Sequence, residues 1–262
     1  MRLAVCEAPP TLAFEGRSWE AWVRRVRAAD PTLFLLNEMP FGDWLASDPI
    51  PDPARLRRSH ELHELGLQRL EQLGAPIVLG TRPAFELGRS VNQGFVWQAD
   101  SGARPVHTKQ YFPDEKGYYE ARWFERGETH FRLADAGGLR LGFLICTEVM
   151  FTEWARHYGR RGAHLLVVPR ATPARSTERW KTAIRMAAIV SGCYVASSNR
   201  SGADRHGLEF GGRGWIVEPG GRILAETSAR RPVVTADVDV ERVARARRDY
   251  PCYVRELPGN SS

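Results

Sequence analysis

Lysine, cysteine and long apolar runs are all scarce in this 262-residue chain. Of 37 basic residues only Lys109, Lys116 and Lys181 are lysine, leaving 34 arginines, and the net charge is +6. A bias that strong points to codon composition before it points to a binding role. The basic clusters at residues 55–58, 156–161 and 242–248 read as helix faces or ends. None is interleaved with aromatic residues as a stacking surface for single-stranded nucleic acid would be, so no nucleic-acid partner is expected.

The four cysteines, Cys6, Cys146, Cys193 and Cys252, share no C-x-x-C spacing. They read as free thiols, with neither disulfides nor a zinc cluster. The longest apolar runs, residues 33–36 and 165–168, fall far short of the roughly 20 residues that a membrane span needs. The N-terminus opens into the apolar residues 3–5 without a positively charged lead or a small-residue cleavage site. A soluble, cytoplasmic protein is the expectation.

Other motifs are absent too. There is no G-x-S-x-G elbow, no phosphate-binding glycine loop and no dinucleotide fingerprint. His60-Glu61-Leu62-His63-Glu64 is not H-E-x-x-H, because Glu64 stands where the second histidine would be; it reads as a solvated helix face, and no metal site is expected. Gly211-Gly212-Arg213-Gly214 leads into a strand and lacks the helix that gives an anion-binding loop its geometry.

What is present is a folded α/β pattern: 43% hydrophobic and 26% charged residues are close to globular averages. Strands are expected at residues 2–7, 32–36, 76–80, 141–146, 164–169, 193–198 and 233–238. Two more β runs between 91 and 109 flank the turn Asp100-Ser101-Gly102, and a pair at 214–218 and 222–225 flanks Pro219-Gly220-Gly221. Helical spacing covers 19–28, 151–161 and 177–190. A longer helix starts at Asp52-Pro53, lined by Leu56, Leu62, Leu65, Leu70 and Leu73, and stops at Gly74. Helices and strands alternating this far imply one α/β domain over 1–262, with its core at about 2–239 and a C-terminal arm at about 240–262.

Three polar residues sit where buried strands end. Glu38 follows the run 33–37, Lys109 follows 104–108 and Cys146 follows 141–145. Side chains at strand ends of an α/β sheet converge on the crevice where ligands bind. A carboxylate, an ammonium and a thiol there make a nucleophilic site, in which the base takes the thiol proton and the cation meets developing negative charge. Each residue alone has a plainer reading: a lone strand-end cysteine is usually a packing residue, and a lone Glu or Lys is usually solvated or surface-paired.

The surrounding strings add to this. Asn37-Glu38-Met39-Pro40-Phe41, His107-Thr108-Lys109-Gln110-Tyr111-Phe112-Pro113 and Gly142-Phe143-Leu144-Ile145-Cys146-Thr147-Glu148 resemble, in order, the three signature segments of the nitrilase superfamily of carbon–nitrogen hydrolases. The resemblance extends through residues 160–169, 180–199 and 211–224, so it spans roughly 2 to 239. It implies a four-layer α-β-β-α sandwich, usually a homodimer or larger homo-oligomer, that needs no cofactor. It also implies Glu38 as general base, Cys146 as nucleophile, Lys109 as oxyanion stabiliser and the Thr147 main-chain N–H as a second oxyanion donor. A second glutamate downstream of the lysine is expected at Glu120, with Asp114 and Glu115 as competitors.

Thr147 stands where nitrilases usually carry Trp, and the chain is shorter than theirs. Both features favour small amide or N-carbamoyl substrates over nitriles. A nitrilase, an acyltransferase and a noncatalytic scaffold of the same fold are the alternatives. Arg170 and Thr172, after the strand at 164–169, are candidate substrate contacts, Arg170 for a carboxylate. Tyr119, Trp123, Phe41 and Trp44 are candidate pocket walls.

Overall fold

A computed structural model describes residues 1–128 and 130–255. In chain order the elements are β1 (Arg2–Ala8), α1 (Gly16–Ala29), β2 (Leu33–Leu35), α2 (Pro53–Leu67), β3 (Ile77–Glu86), β4 (Arg89–Gln98), β5 (Gly102–Thr108) and α3 (Glu120–Trp123). They continue with β6 (Ala134–Ala136), β7 (Leu139–Phe143), α4 (Thr152–Arg160), β8 (Leu165–Pro169), α5 (Thr177–Ser191) and β9 (Tyr194–Ala203). The last are β10 (Glu209–Gly211), β11 (Trp215–Val217), β12 (Ile223–Glu226), β13 (Val233–Asp237) and α6 (Val240–Ala246).

Two mixed sheets result. One runs β13-β1-β2-β3-β4-β5, with β1, β2 and β3 parallel. The other runs β6-β7-β8-β9-β11-β12, with β7, β8 and β9 parallel. The end of β1 pairs with β9 (Glu7 opposite Asn199, Ala8 opposite Arg200) and joins the two sheets.

Period-2 alternation sorts the side chains into layers. Leu3 and Val5 of β1 point between the sheets with Leu33, Leu35 and Leu79, where they meet Leu141, Phe143, Leu165 and Val167. Ala4 and Cys6 face the opposite way, with Trp19, Trp22 and Val26 of α1. On the far side Leu166 and Val168 pack with Tyr158 of α4 and Ile184 and Ala187 of α5. Helix, sheet, sheet, helix is the four-layer sandwich that the family resemblance implies. All four cysteines are free, and no helix among the described residues is long and apolar enough to cross a membrane.

Several elements differ from expectation. The helix from Asp52, whose side chain accepts from the N–H groups of Ala54 and Arg55, ends at Leu67; Leu70–Leu73 is a separate 3-10 turn. Its buried stripe is Ser59, His63, Gly66 and Leu67, while Leu65 is exposed. Gly66 sets that face, because a Cβ there would stand 2.4 Å from the Phe41 ring. His63 is therefore a core residue and not part of a solvated face. Its Nδ1 lies 2.7 Å from the Ser59 carbonyl, its Nε2 accepts from the Phe41 N–H, and burial pulls its pKa down to about 3. The strand expected at 76–80 runs on to Glu86 and turns through Leu87-Gly88, both at positive φ, into β4. Residues 240–246 form α6, started by the Asp239 cap and anchored by buried Val243. Residues 256–262 of the expected arm lie outside the described residues.

Candidate active site

β5 runs in the same direction as β2, since two antiparallel steps separate it from β3, which is parallel to β2. Glu38 and Lys109 therefore emerge at one end of their sheet. Cys146 follows β7 in the facing sheet, on a 3-10 turn Cys146–Met150. The sandwich brings the three together with Glu120, the first residue of α3.

Lys109 is fully buried. Its Nζ donates to Glu38 Oε1 at 2.8 Å and to Glu120 Oε2 at 2.5 Å. Burial alone would pull the ammonium pKa down, but the carboxylates of Glu120 and Glu38 outweigh it and hold Lys109 above the ordinary lysine value. Burial, with Glu38 adding to it and Lys109 opposing it, pushes the Glu120 carboxyl up to about 8. The Cys146 thiol is raised well above its ordinary value, first by burial and next by Glu38, against the pull of Lys109. Cys146 thus rests as a thiol, and attack by its sulfur would need a base. Glu38 Oε2 and Glu120 Oε1 have no hydrogen-bond partner among the described residues.

Cys146 stands at φ +49°, a left-handed conformation that costs a non-glycine residue energy and is held only by its surroundings. Glu148 does much of that holding. Its carboxylate accepts from the main-chain N–H of Ile145 at 2.7 Å and of Gln110 at 2.7 Å, and lies 2.8 Å from His107 Nε2. One buried carboxylate thereby ties the turn carrying Cys146 to both flanks of Lys109. Asn92 of β4 acts alike on the other side: its Nδ2 donates to Glu38 Oε1 at 2.8 Å, and its carbonyl accepts from the Lys109 main-chain N–H at 2.9 Å. The buried Arg200 guanidinium donates to the carbonyls of Glu38, Met39, Pro10 and Gly42 and so fixes the loop that carries Glu38.

A cleft of about 350 Å³ opens onto this group, and Glu120, Cys146, Thr147, Tyr118 and Thr172 lie on its wall. Glu38 and Lys109 lie behind that wall. Thr147 is in the first turn of its 3-10 helix, where N–H groups have no partner within the helix.

The other expected contacts are placed elsewhere. Arg170 does not line the cleft: its Nε donates to Ser197 Oγ, its Nη1 to Thr172 Oγ1 and its Nη2 to the Arg213 carbonyl, beneath the Trp215 ring. Each of its three nitrogens thus has a protein partner, and the residue is not on the cleft wall. Trp123 is buried with its Nε1 donating to the Asp48 carbonyl, and Tyr119 lies under Arg122. Phe41 packs in the α1 layer, and Trp44 in a cluster with Tyr118 and Phe210. Asp114 pairs with Arg122, and Glu115 is on the cleft wall but not on Lys109. Asn92, Glu148 and Arg200 were missed by sequence reasoning. A polar residue inside an apolar strand was the one available signal, and Asn92 in Val91-Asn92-Gln93-Gly94-Phe95 carried it.

Known proteins resemble the chain at each level. The sequence model of the carbon–nitrogen hydrolase family matches residues 66–248. A 2-oxoglutaramate amidase of Bacillus subtilis is 29% identical over 161 residues, 56% of this chain and 62% of that protein. An omega-amidase of Homo sapiens is 25% identical over 183 residues, 68% of this chain and 66% of its own length. The chain thus spans just under two thirds of the length of these two relatives. Among solved structures, a carbon–nitrogen hydrolase from Helicobacter pylori superposes with a TM-score of 0.84 at 21% identity, covering 97% of this chain and 94% of that one. Saccharomyces cerevisiae Nit3, of the nitrilase superfamily, gives 0.74 at 20% identity, with 96% and 94% covered.

Proposed function

The chain belongs to the carbon–nitrogen hydrolase family, and on that premise we propose that it hydrolyses the C–N bond of a small amide or N-carbamoyl compound through a thioester on Cys146. The observation that carries this reading is the buried Lys109 ammonium, held by Glu38 and Glu120 behind a cleft whose wall presents Cys146. The amidase names of its relatives support amides over nitriles.

The chemistry follows from the donors and acceptors present. An ammonium has three N–H donors; two of those of Lys109 are taken by Glu38 and Glu120, and the third is left for an oxyanion. As the sulfur attacks the carbonyl carbon, Glu38 takes the thiol proton through its unpartnered Oε2. The oxyanion forms against Lys109 and the Thr147 N–H. One such donor is worth about 3 kcal/mol in the transition state. The intermediate collapses with cleavage of the C–N bond, and Glu38 returns the proton to the departing nitrogen. Water, deprotonated by Glu38, attacks the thioester; the acid leaves and the sulfur regains its proton. Glu120 keeps Lys109 in place.

The test is a hydrolysis screen over amides, N-carbamoyl compounds and nitriles, with ammonia and carboxylate measured separately. Turnover of amides or carbamoyl compounds, abolished in a folded Cys146→Ala protein, is the expected result. Exclusive turnover of nitriles, or full activity of Cys146→Ala, would overturn it.

A further inference from the structure

A second cavity, of about 560 Å³, shares no wall residue with the cleft at Cys146. It lies between the end of β1 and α1, with Pro232 at its side. The charged residues on its wall are Glu7 of β1 and Arg25 of α1. Ser18, Trp22 and Arg25 follow one another at four and then three positions, which sets them on a single face of α1. Pro9, Leu12, Ala13, Ala21 and Pro232 make most of the rest apolar.

Glu7 is 6% exposed, and no basic side chain forms an ion pair with it among the described residues. Its Oε2 accepts from the Arg213 main-chain N–H at 3.0 Å and from Thr227 Oγ1 at 2.8 Å. That one oxygen ties β1 to the loop before β11 and to the residue after β12. Oε1 has no hydrogen-bond partner among the described residues, yet it is not sealed off, so it is open to the cavity that Glu7 lines. A carboxylate this deeply placed is normally matched by a cation or a full set of donors. The face of α1 shows the opposite lack. Trp22 is 3% exposed, and its indole N–H has no acceptor among the described residues. Arg25 is exposed, and its guanidinium has neither ion pair nor hydrogen bond among them.

We infer that this cavity is a binding site, separate from the cleft, for the zwitterion of an α-amino acid with an apolar side chain. The ligand ammonium meets Glu7 Oε1, and its carboxylate meets the Arg25 guanidinium and the Ser18 hydroxyl. A negative group on that face of α1 is drawn by the guanidinium and by the indole N–H dipole alike. The side chain lies against Pro9, Leu12 and Pro232. Charge decides the ligand class. Glu7 and Arg25 cancel, so a simple amine would satisfy one and be repelled by the other, and a simple acid the reverse. A zwitterion matches both.

Titration calorimetry on the unmodified protein compares L-leucine with its two halves: isoamylamine, which lacks the carboxylate, and isocaproate, which lacks the ammonium. L-Leucine should bind at one site per chain, and each half about tenfold more weakly, the scale of one charge-assisted contact. Arg25→Gln, at an exposed position that does not threaten folding, should weaken L-leucine about tenfold without weakening isoamylamine. Glu7→Gln should weaken L-leucine similarly without weakening isocaproate. Glu7 is buried, so the urea midpoint of that variant is measured alongside; if it does not fold, Arg25→Gln and the two halves still decide. No binding of L-leucine at millimolar concentration, a half that binds as well as the whole, or binding indifferent to Arg25→Gln would overturn the inference. Turnover plays no part in these readings, so they stand or fall apart from the amide-hydrolase reading.

Discussion

Glu120 is the residue expected to give the site its pH dependence. Its carboxyl is held up at about 8, chiefly by burial. Above that value Glu120 loses its proton, and an added negative charge opposes both thiolate and oxyanion. The expected pH profile of kcat/KM falls on the alkaline side with an apparent pKa near 8. In Glu120→Gln that limb should disappear, whatever the remaining rate; an unchanged limb would place the titration elsewhere. Cys146, Lys109 and Glu38 were legible in the sequence because each ends a buried strand in a signature string. The side chain of Arg170 was not. Its position after β8 could be read, but a turn towards Ser197 and the Trp215 ring depends on residues 27 to 45 positions away.

Between elements, single polar side chains set the geometry of the site. Glu148 joins the end of β5 to the Cys146 turn with three contacts, and a glutamine offers one acceptor oxygen in place of two. Glu148→Gln should leave at least one buried N–H unmatched, at a cost of about 1–3 kcal/mol in stability. Turnover should fall through kcat more than KM, as Cys146 and Lys109 lose register; an unchanged kcat would reduce Glu148 to a structural bond. A glycine plays the equivalent part between α4 and α5. A Cβ on Gly159 would stand 2.2 Å from the Ser191 carbonyl oxygen, so Gly159→Ala should destabilise by about 1–3 kcal/mol, measured by urea unfolding. Element identity was readable from periodicity, whereas the face of α2 was not. Its leucines suggested one stripe, but the close approach of Phe41 to Gly66 selected another.

For the molecule as a whole, stability rests on the layer between the sheets, to which both halves of the chain contribute. Leu165 lies at the centre of that layer, fully buried among residues of both sheets. Leu165→Ala should cost about 2–5 kcal/mol and lower the urea midpoint at unchanged slope; a new intermediate would show that the sheets unfold separately. The α/β class and most strands could be read from alternation and turn residues. The joining of the sheets through β1 and β9 could not, because a parallel pairing across 192 positions, Glu7 to Asn199, has no local signal. The layered arrangement came from resemblance, and the structure supplies its physical basis in the alternation of Leu3 and Val5 against Ala4 and Cys6.

All of these scales meet in one claim, that Cys146 carries the acyl group. Acid-quenching the protein during turnover of its best amide, followed by peptide mass mapping, tests that claim most directly. An acyl mass on the peptide containing Cys146, absent from those containing Cys6, Cys193 and Cys252, is the predicted result. A label on any other residue, or steady turnover by a protein whose Cys146 is quantitatively alkylated, would contradict it.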